Sequence, residues 1–135
     1  MNPECSLQPP APAIGPGPRA KASVLLVDDN EFILQATGLI LSHLGYAPEF
    51  AMTGEEALAR LTAGLEPVLV ILDLDMPGMG GAATLPLIRS LRPELPVVIA
   101  TGRLLQEAVG LTRSWPLVSL MAKPYGLREL RRRLA

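Results

Sequence analysis

The chain has 135 residues, 49% of them apolar, enough for one domain with a real hydrophobic core. Its formal net charge of −1 gives no electrostatic case for nucleic acid or for an anionic membrane as a partner. A single cysteine, Cys5, excludes a disulfide framework and a thiolate metal site; no apolar run reaches the length of a membrane span, and the N-terminus lacks the basic start and apolar stretch of a signal peptide, so a cytoplasmic protein is expected.

Residues 1–20 read as a separate object. Pro3, Pro9, Pro10, Pro12, Pro16 and Pro18 interrupt any helix or ladder, and the composition between them has no period. A disordered, proline-rich leader is expected there, with a folded domain over residues 21–135.

From Lys21 onward strand and helix signals alternate. The first strand is expected at about Ser23–Val27, an apolar run that ends in Asp28-Asp29. The next helix, Glu31–Leu44, places Phe32, Ile33, Ala36, Leu39, Ile40 and Leu44 near one face, and Gly45 stops it. A short strand follows at about Ala47–Ala51. Thr53-Gly54-Glu55-Glu56 has the spacing of a capping box, with Thr53 as the cap and Glu56 reaching back; that helix runs to about Ala63. The third strand, Val68–Leu72, runs into Asp73-Leu74-Asp75-Met76-Pro77-Gly78.

The third helix is expected over about Ala82–Leu91. Pro86 lies inside it and removes a hydrogen bond at a cost of about 3 kcal/mol in a regular helix, so a late start or a kink is expected. The fourth strand, Val97–Ala100, ends in Thr101-Gly102. The fourth helix lies within Leu104–Thr112, and Arg113-Ser114-Trp115-Pro116 suggests that it is short or irregular. The fifth strand, Val118–Ala122, ends in Lys123-Pro124, and the last helix spans Leu127–Leu134.

Continuously apolar strands alternating with helices predict an α/β fold: a doubly wound, five-stranded parallel sheet covered on both faces. Right-handed crossovers put all the strand ends on one edge, where open α/β folds build their sites. Two strands ending in acids, set side by side, would crowd Asp28, Asp29, Asp73 and Asp75. Such crowding is costly without a cation, which implies a hard metal such as Mg2+. A hydroxyl at Thr101 and an ammonium at Lys123 complete the set.

Acid pair, single acid, hydroxyl and Lys-Pro, each closing a strand with a helix between, resemble the receiver domain of bacterial two-component response regulators over about residues 21–135. The resemblance implies a flavodoxin-like sheet of order 2-1-3-4-5, as in chemotaxis regulators, with its switch point between the strands carrying Asp28, Asp29 and Asp73. It implies that Asp73 accepts a phosphoryl group from a histidine kinase or a histidine phosphotransfer protein. It also implies that Asp29, Asp73 and the backbone carbonyl of Asp75 hold Mg2+ (or Mn2+), with Asp28 acting through a metal-bound water. Lys123 and the Thr101 hydroxyl would take phosphoryl oxygens. Such a domain phosphorylates itself from a donor and dephosphorylates itself, rather than turning over an external substrate.

The position three before the lysine is aromatic in many receivers and is Leu120 here, so any switch there repacks a leucine. The resemblance implies that Asp75 and Arg103 flank the route of water to the phosphate, and their opposite charges suggest a gate. With no output domain after Leu134, a stand-alone receiver acting on another protein is expected. His43 and the run Arg128, Arg131, Arg132, Arg133 read as surface residues. Two alternatives stay open: a pseudo-receiver that binds partners without phosphate, and a haloacid-dehalogenase-type phosphatase, suggested by Asp73-Leu74-Asp75. Against the phosphatase, the acid pair here precedes the lysine rather than following it, and the chain has no room for a cap domain.

Overall fold

The computed structural model describes residues 21–76, 78–102 and 105–134. The proline-rich leader lies outside the described residues, as does Arg103. The elements, in chain order, are β1 (Ser23–Val27), α1 (Glu31–His43), β2 (Ala47–Ala51), α2 (Gly54–Thr62), β3 (Leu69–Asp73), α3 (Gly80–Leu91), β4 (Val97–Thr101), α4 (Leu105–Ser114), β5 (Val118–Ala122) and α5 (Leu127–Leu134). All five strands pair in parallel in the order β2-β1-β3-β4-β5.

Side chains alternate across a strand, so neighbouring residues of the central strands feed two different cores. Leu25, Val27, Val70, Leu72, Val97 and Ile99 pack with α2, α3 and α4 through Ala57, Leu61, Leu85, Ile88 and Ala108. Val24, Leu26, Ile71, Val98 and Ala100 pack on the other face with Leu34 and Leu41 of α1 and Leu130 of α5. Strands buried on both faces read as continuous apolar runs, as Val24–Val27, Leu69–Leu72 and Val97–Ala100 do.

Local chemistry fixes the helix ends. Asn30 caps α1, its side chain accepting from the amides of Phe32 at 2.9 Å and Ile33 at 3.2 Å. Thr53 caps α2 through the amide of Glu56 at 2.9 Å, and the Glu56 carboxylate reaches back to the amide of Met52 at 2.8 Å. At the end of α1, Gly45 takes φ +95 and the amide of Tyr46 returns to the carbonyl of Leu41 at 2.9 Å. This left-handed closure is open to glycine at little cost.

Four expectations are corrected. The buried face of α1 is Leu34, Thr37, Gly38 and Leu41; Phe32 and Leu39 are 82% and 74% exposed. The helix carries more apolar residues than its core stripe uses, so apolar spacing alone selected the wrong face. β3 and β4 each run one residue further, because Asp73 pairs with Ala100 and Thr101 with Ala122. The third helix starts early, at Gly80, and continues through Pro86. The fourth is not cut short at Arg113: it reaches Ser114, and Trp115 packs against the core beside α2, α3 and α4.

Candidate functional site

The ladders carry the key residues to one edge. Beyond the strand ends, the amide of Asp28 donates to the carbonyl of Ala51 at 3.1 Å, that of Leu74 to Ala100 at 3.0 Å and that of Lys123 to Thr101 at 2.9 Å. Asp28, Asp73, Thr101 and Lys123 therefore sit side by side at the carboxyl edge of the sheet, around the β1/β3 switch point. Helix α3 starts hard against this edge. A Cβ on Gly81 would lie 2.5 Å from the carbonyl oxygen of Asp73 and 2.9 Å from the Cα of Leu74, so only glycine permits this approach.

Lys123 organises the crevice. Its Nζ donates to Asp73 Oδ1 at 2.9 Å and to Asp28 Oδ2 at 3.0 Å. Asp28 and Asp73 are 4% and 2% exposed. Burial pushes the Asp73 carboxyl above its ordinary range, against the opposing pull of the Lys123 hydrogen bond. Burial also works against the Lys123 charge, but its hydrogen bonds to Asp73 and Asp28 outweigh that and hold the ammonium above its ordinary range. The amide of Asp75 donates to Asp73 Oδ1 at 3.0 Å. Both bonds to Asp73 fall on Oδ1.

Asp28, Asp29 and Asp73 offer carboxylate oxygens that all lie within 4.8 Å of one another. Three carboxylates against one ammonium leave an excess of negative charge and a set of hard oxygen donors. That donor set fits a divalent cation such as Mg2+. Asp28 is engaged on both oxygens, by Lys123 and by the amide of Asn30 at 2.9 Å; Asp29 is exposed.

The sequence-expected residues Asp28, Asp29, Asp73, Thr101 and Lys123 are brought together. Asp75 is present too, but its carboxylate faces Thr101, whose hydroxyl donates to Asp75 Oδ2 at 3.2 Å. Arg103, the other half of the expected gate, lies outside the described residues. Leu120 is half-buried against the α2–α4 core, with its carbonyl accepting from Arg133. Sequence reasoning passed over Tyr125. Its hydroxyl accepts from Thr37 of α1 at 3.3 Å, and it lines, with Asp28, Asp73 and Thr37, a small recess beneath the acids. An aromatic two residues after the lysine was the available signal.

Fold and crevice together define a receiver-type α/β domain with its acids at the switch point. The chain belongs to the response regulator receiver domain family, whose sequence model matches residues 24–135. It is thus a receiver domain of the kind found in two-component signalling. It is 33% identical over 113 residues to the response regulator MprA of Mycolicibacterium vanbaalenii, covering 82% of this chain and 48% of that protein. It is 37% identical over 83 residues to the C4-dicarboxylate transport transcriptional regulatory protein DctD of Rhizobium meliloti, covering 62% of this chain and 18% of that one. The chain therefore spans about half, or less, of the length of these curated relatives. Among solved structures it resembles the chemotaxis protein CheY4 of Vibrio cholerae, with a TM-score of 0.78, 29% identity and coverage of 85% of this chain and 97% of that one. This membership leaves the haloacid-dehalogenase-type alternative without support. Among the described residues no helix is long and apolar enough to cross a membrane.

Proposed function

We propose that Asp73 accepts a phosphoryl group from a histidine kinase or a histidine phosphotransfer protein and that the domain signals through the resulting shift in conformation. The observation that carries this reading is the state of Asp73: a buried carboxylate at the end of β3, with Oδ1 fixed by Lys123 and the Asp75 amide. A fixed carboxylate beside an ammonium is a nucleophile held in one orientation. Oδ2 attacks the phosphorus in line, and the bond from phosphorus to the donor nitrogen breaks with its electron pair leaving on the imidazole.

Charge on the transferring group must be met by cations. Lys123 supplies one, moving from the carboxylates to a phosphoryl oxygen, and the Thr101 hydroxyl supplies a donor to another. Asp29, Asp73 and the backbone carbonyl of Asp75 would hold Mg2+ or Mn2+, with Asp28 behind a water, and the bound metal would neutralise phosphoryl charge. The engagement of both Asp28 oxygens supports giving Asp29 the direct role. Movement of Thr101 and Lys123 then repacks Leu120 and biases the face formed by α4, β5 and α5 toward a downstream protein.

The test is labelling from acetyl phosphate in the presence of Mg2+. Wild type takes up the label and Asp73→Asn does not. Full labelling of Asp73→Asn at this site would overturn the assignment.

A further inference from the structure

Thr101 and Asp75 are both needed at the crevice, and they are bonded to each other. Thr101 is 1% exposed, and a hydroxyl has one hydrogen to give. In this structure Thr101 Oγ1 donates to Asp75 Oδ2 at 3.2 Å. The Asp75 amide donates to Asp73 Oδ1 at 3.0 Å, which holds the Asp75 backbone beside the crevice. The second Asp75 oxygen, Oδ1, is buried with no hydrogen-bond partner among the described residues. A carboxylate so poorly satisfied depends on the bond it has, and losing a buried partner costs more than the bond itself is worth.

We propose that Asp75 is a positioning residue that latches Thr101: its carboxylate holds the hydroxyl away from Asp73 and competes with a phosphoryl oxygen for the single donor. The proposal rests on Asp73 being the phosphoacceptor. It is separate from a mouth-closing pair with Arg103, because it concerns the hydroxyl inside the crevice. Turning Thr101 toward a group on Asp73 breaks the latch and strands the Asp75 carboxylate, so the unphosphorylated state is favoured by what Asp75 would lose. At 3.2 Å the bond is long for a hydroxyl on a carboxylate, which makes the latch a bias on the equilibrium and not a lock.

The probe is beryllofluoride with Mg2+, a stand-in for the phosphoryl group, titrated against wild type, Asp75→Ala, Thr101→Ala and the double variant. Removing the latch should tighten binding by about three- to tenfold. In the Thr101→Ala background there is no hydroxyl to release, so Asp75→Ala should tighten binding at least about threefold less than it does in wild type. Equal tightening in both backgrounds would mean that Asp75 acts by charge repulsion alone and would overturn the latch, as would no tightening at all. Asp75→Leu keeps the branched shape without an acceptor and replaces Asp75→Ala in the cycle if alanine impairs folding. Asp73→Asn separates the two claims. If beryllofluoride binds wild type and not Asp73→Asn while the cycle shows no coupling, the latch fails and the phosphoacceptor stands. If binding does not depend on Asp73, both fall.

Discussion

Ion pairs stand at two kinds of place in this sheet, the crevice at its centre and the strands at its edges. In the crevice Lys123 is tied to Asp28 and Asp73, and all three side chains are largely out of solvent. At the edges the pairs are half-buried, and water reaches both carboxylates. Arg60 of α2 meets Glu49 and donates to the carbonyl of Phe50 on β2 at 2.9 Å. Arg133 of α5 meets Glu129 at 2.6 Å and donates to Ser119 Oγ at 3.0 Å and to the carbonyl of Leu120 on β5. Buried charges are interdependent, since removing one strands the others. Pairs that water reaches are screened and contribute less than buried ones; Arg60 and Arg133 also cover edge carbonyls that would otherwise be open to another strand.

The contrast is sharpest at Lys123. Lys123→Ala leaves two buried carboxylates without their ammonium, and a loss of about 3 kcal/mol in urea unfolding without metal is expected. Adding Mg2+ should recover part of the loss, because a cation at the acids stabilises the folded form by mass action. A metal-free variant as stable as wild type would break the distinction between crevice and edge.

Gly81 and Gly38 give the next largest contrast. Alanine at Gly81 meets the backbone of Asp73 and Leu74, which cannot yield without moving the site. A cost of about 2–3 kcal/mol and weaker beryllofluoride binding are expected. Alanine at Gly38 meets the tip of the Phe50 ring at 2.8 Å. That ring is partly exposed and can swing aside, and alanine gains about 1 kcal/mol of helix propensity. Stability close to wild type is expected there, and an equal loss at both glycines would refute the account of α3 docking.

Asp73→Asn should move stability the other way. Burial raises the Asp73 carboxyl above its ordinary range, so the folded state binds that proton more tightly than the unfolded chain. Stability from this group is full below the unfolded value and is lost as pH rises through the folded one. Without metal at neutral pH, Asp73→Asn should therefore unfold at higher urea than wild type, and the advantage should shrink as pH falls through the acid range. The smallest effect is expected at the edge: Arg60→Ala should change unfolding by less than about 1 kcal/mol, and a larger loss would mean that the pair is more than a cover.

Much of this was legible in the chain. β1 ends where an apolar run meets Asp28-Asp29 and β5 ends at Lys123-Pro124, and the acids, hydroxyl and lysine declare themselves by closing strands. The α1 face was not legible, because Phe32 and Leu39 are as apolar as Leu34 and Leu41 and only packing distinguishes them. The contact between the Asp75 side chain and Thr101 was hidden for a similar reason. Charge suggested Arg103 as its partner, and nothing in the sequence pointed to the Thr101 hydroxyl that lies beside it. The clearance at Gly81 depends on how α3 meets β3, and neither segment encodes that alone.

Borohydride trapping tests the central claim most directly. Reducing the acetyl-phosphate-treated protein converts an aspartyl phosphate to homoserine, which peptide mass mapping places in the sequence. Homoserine is expected at position 73 and at no other acid of the crevice. Homoserine at Asp28, Asp29 or Asp75 with Asp73 unmodified would contradict the assignment.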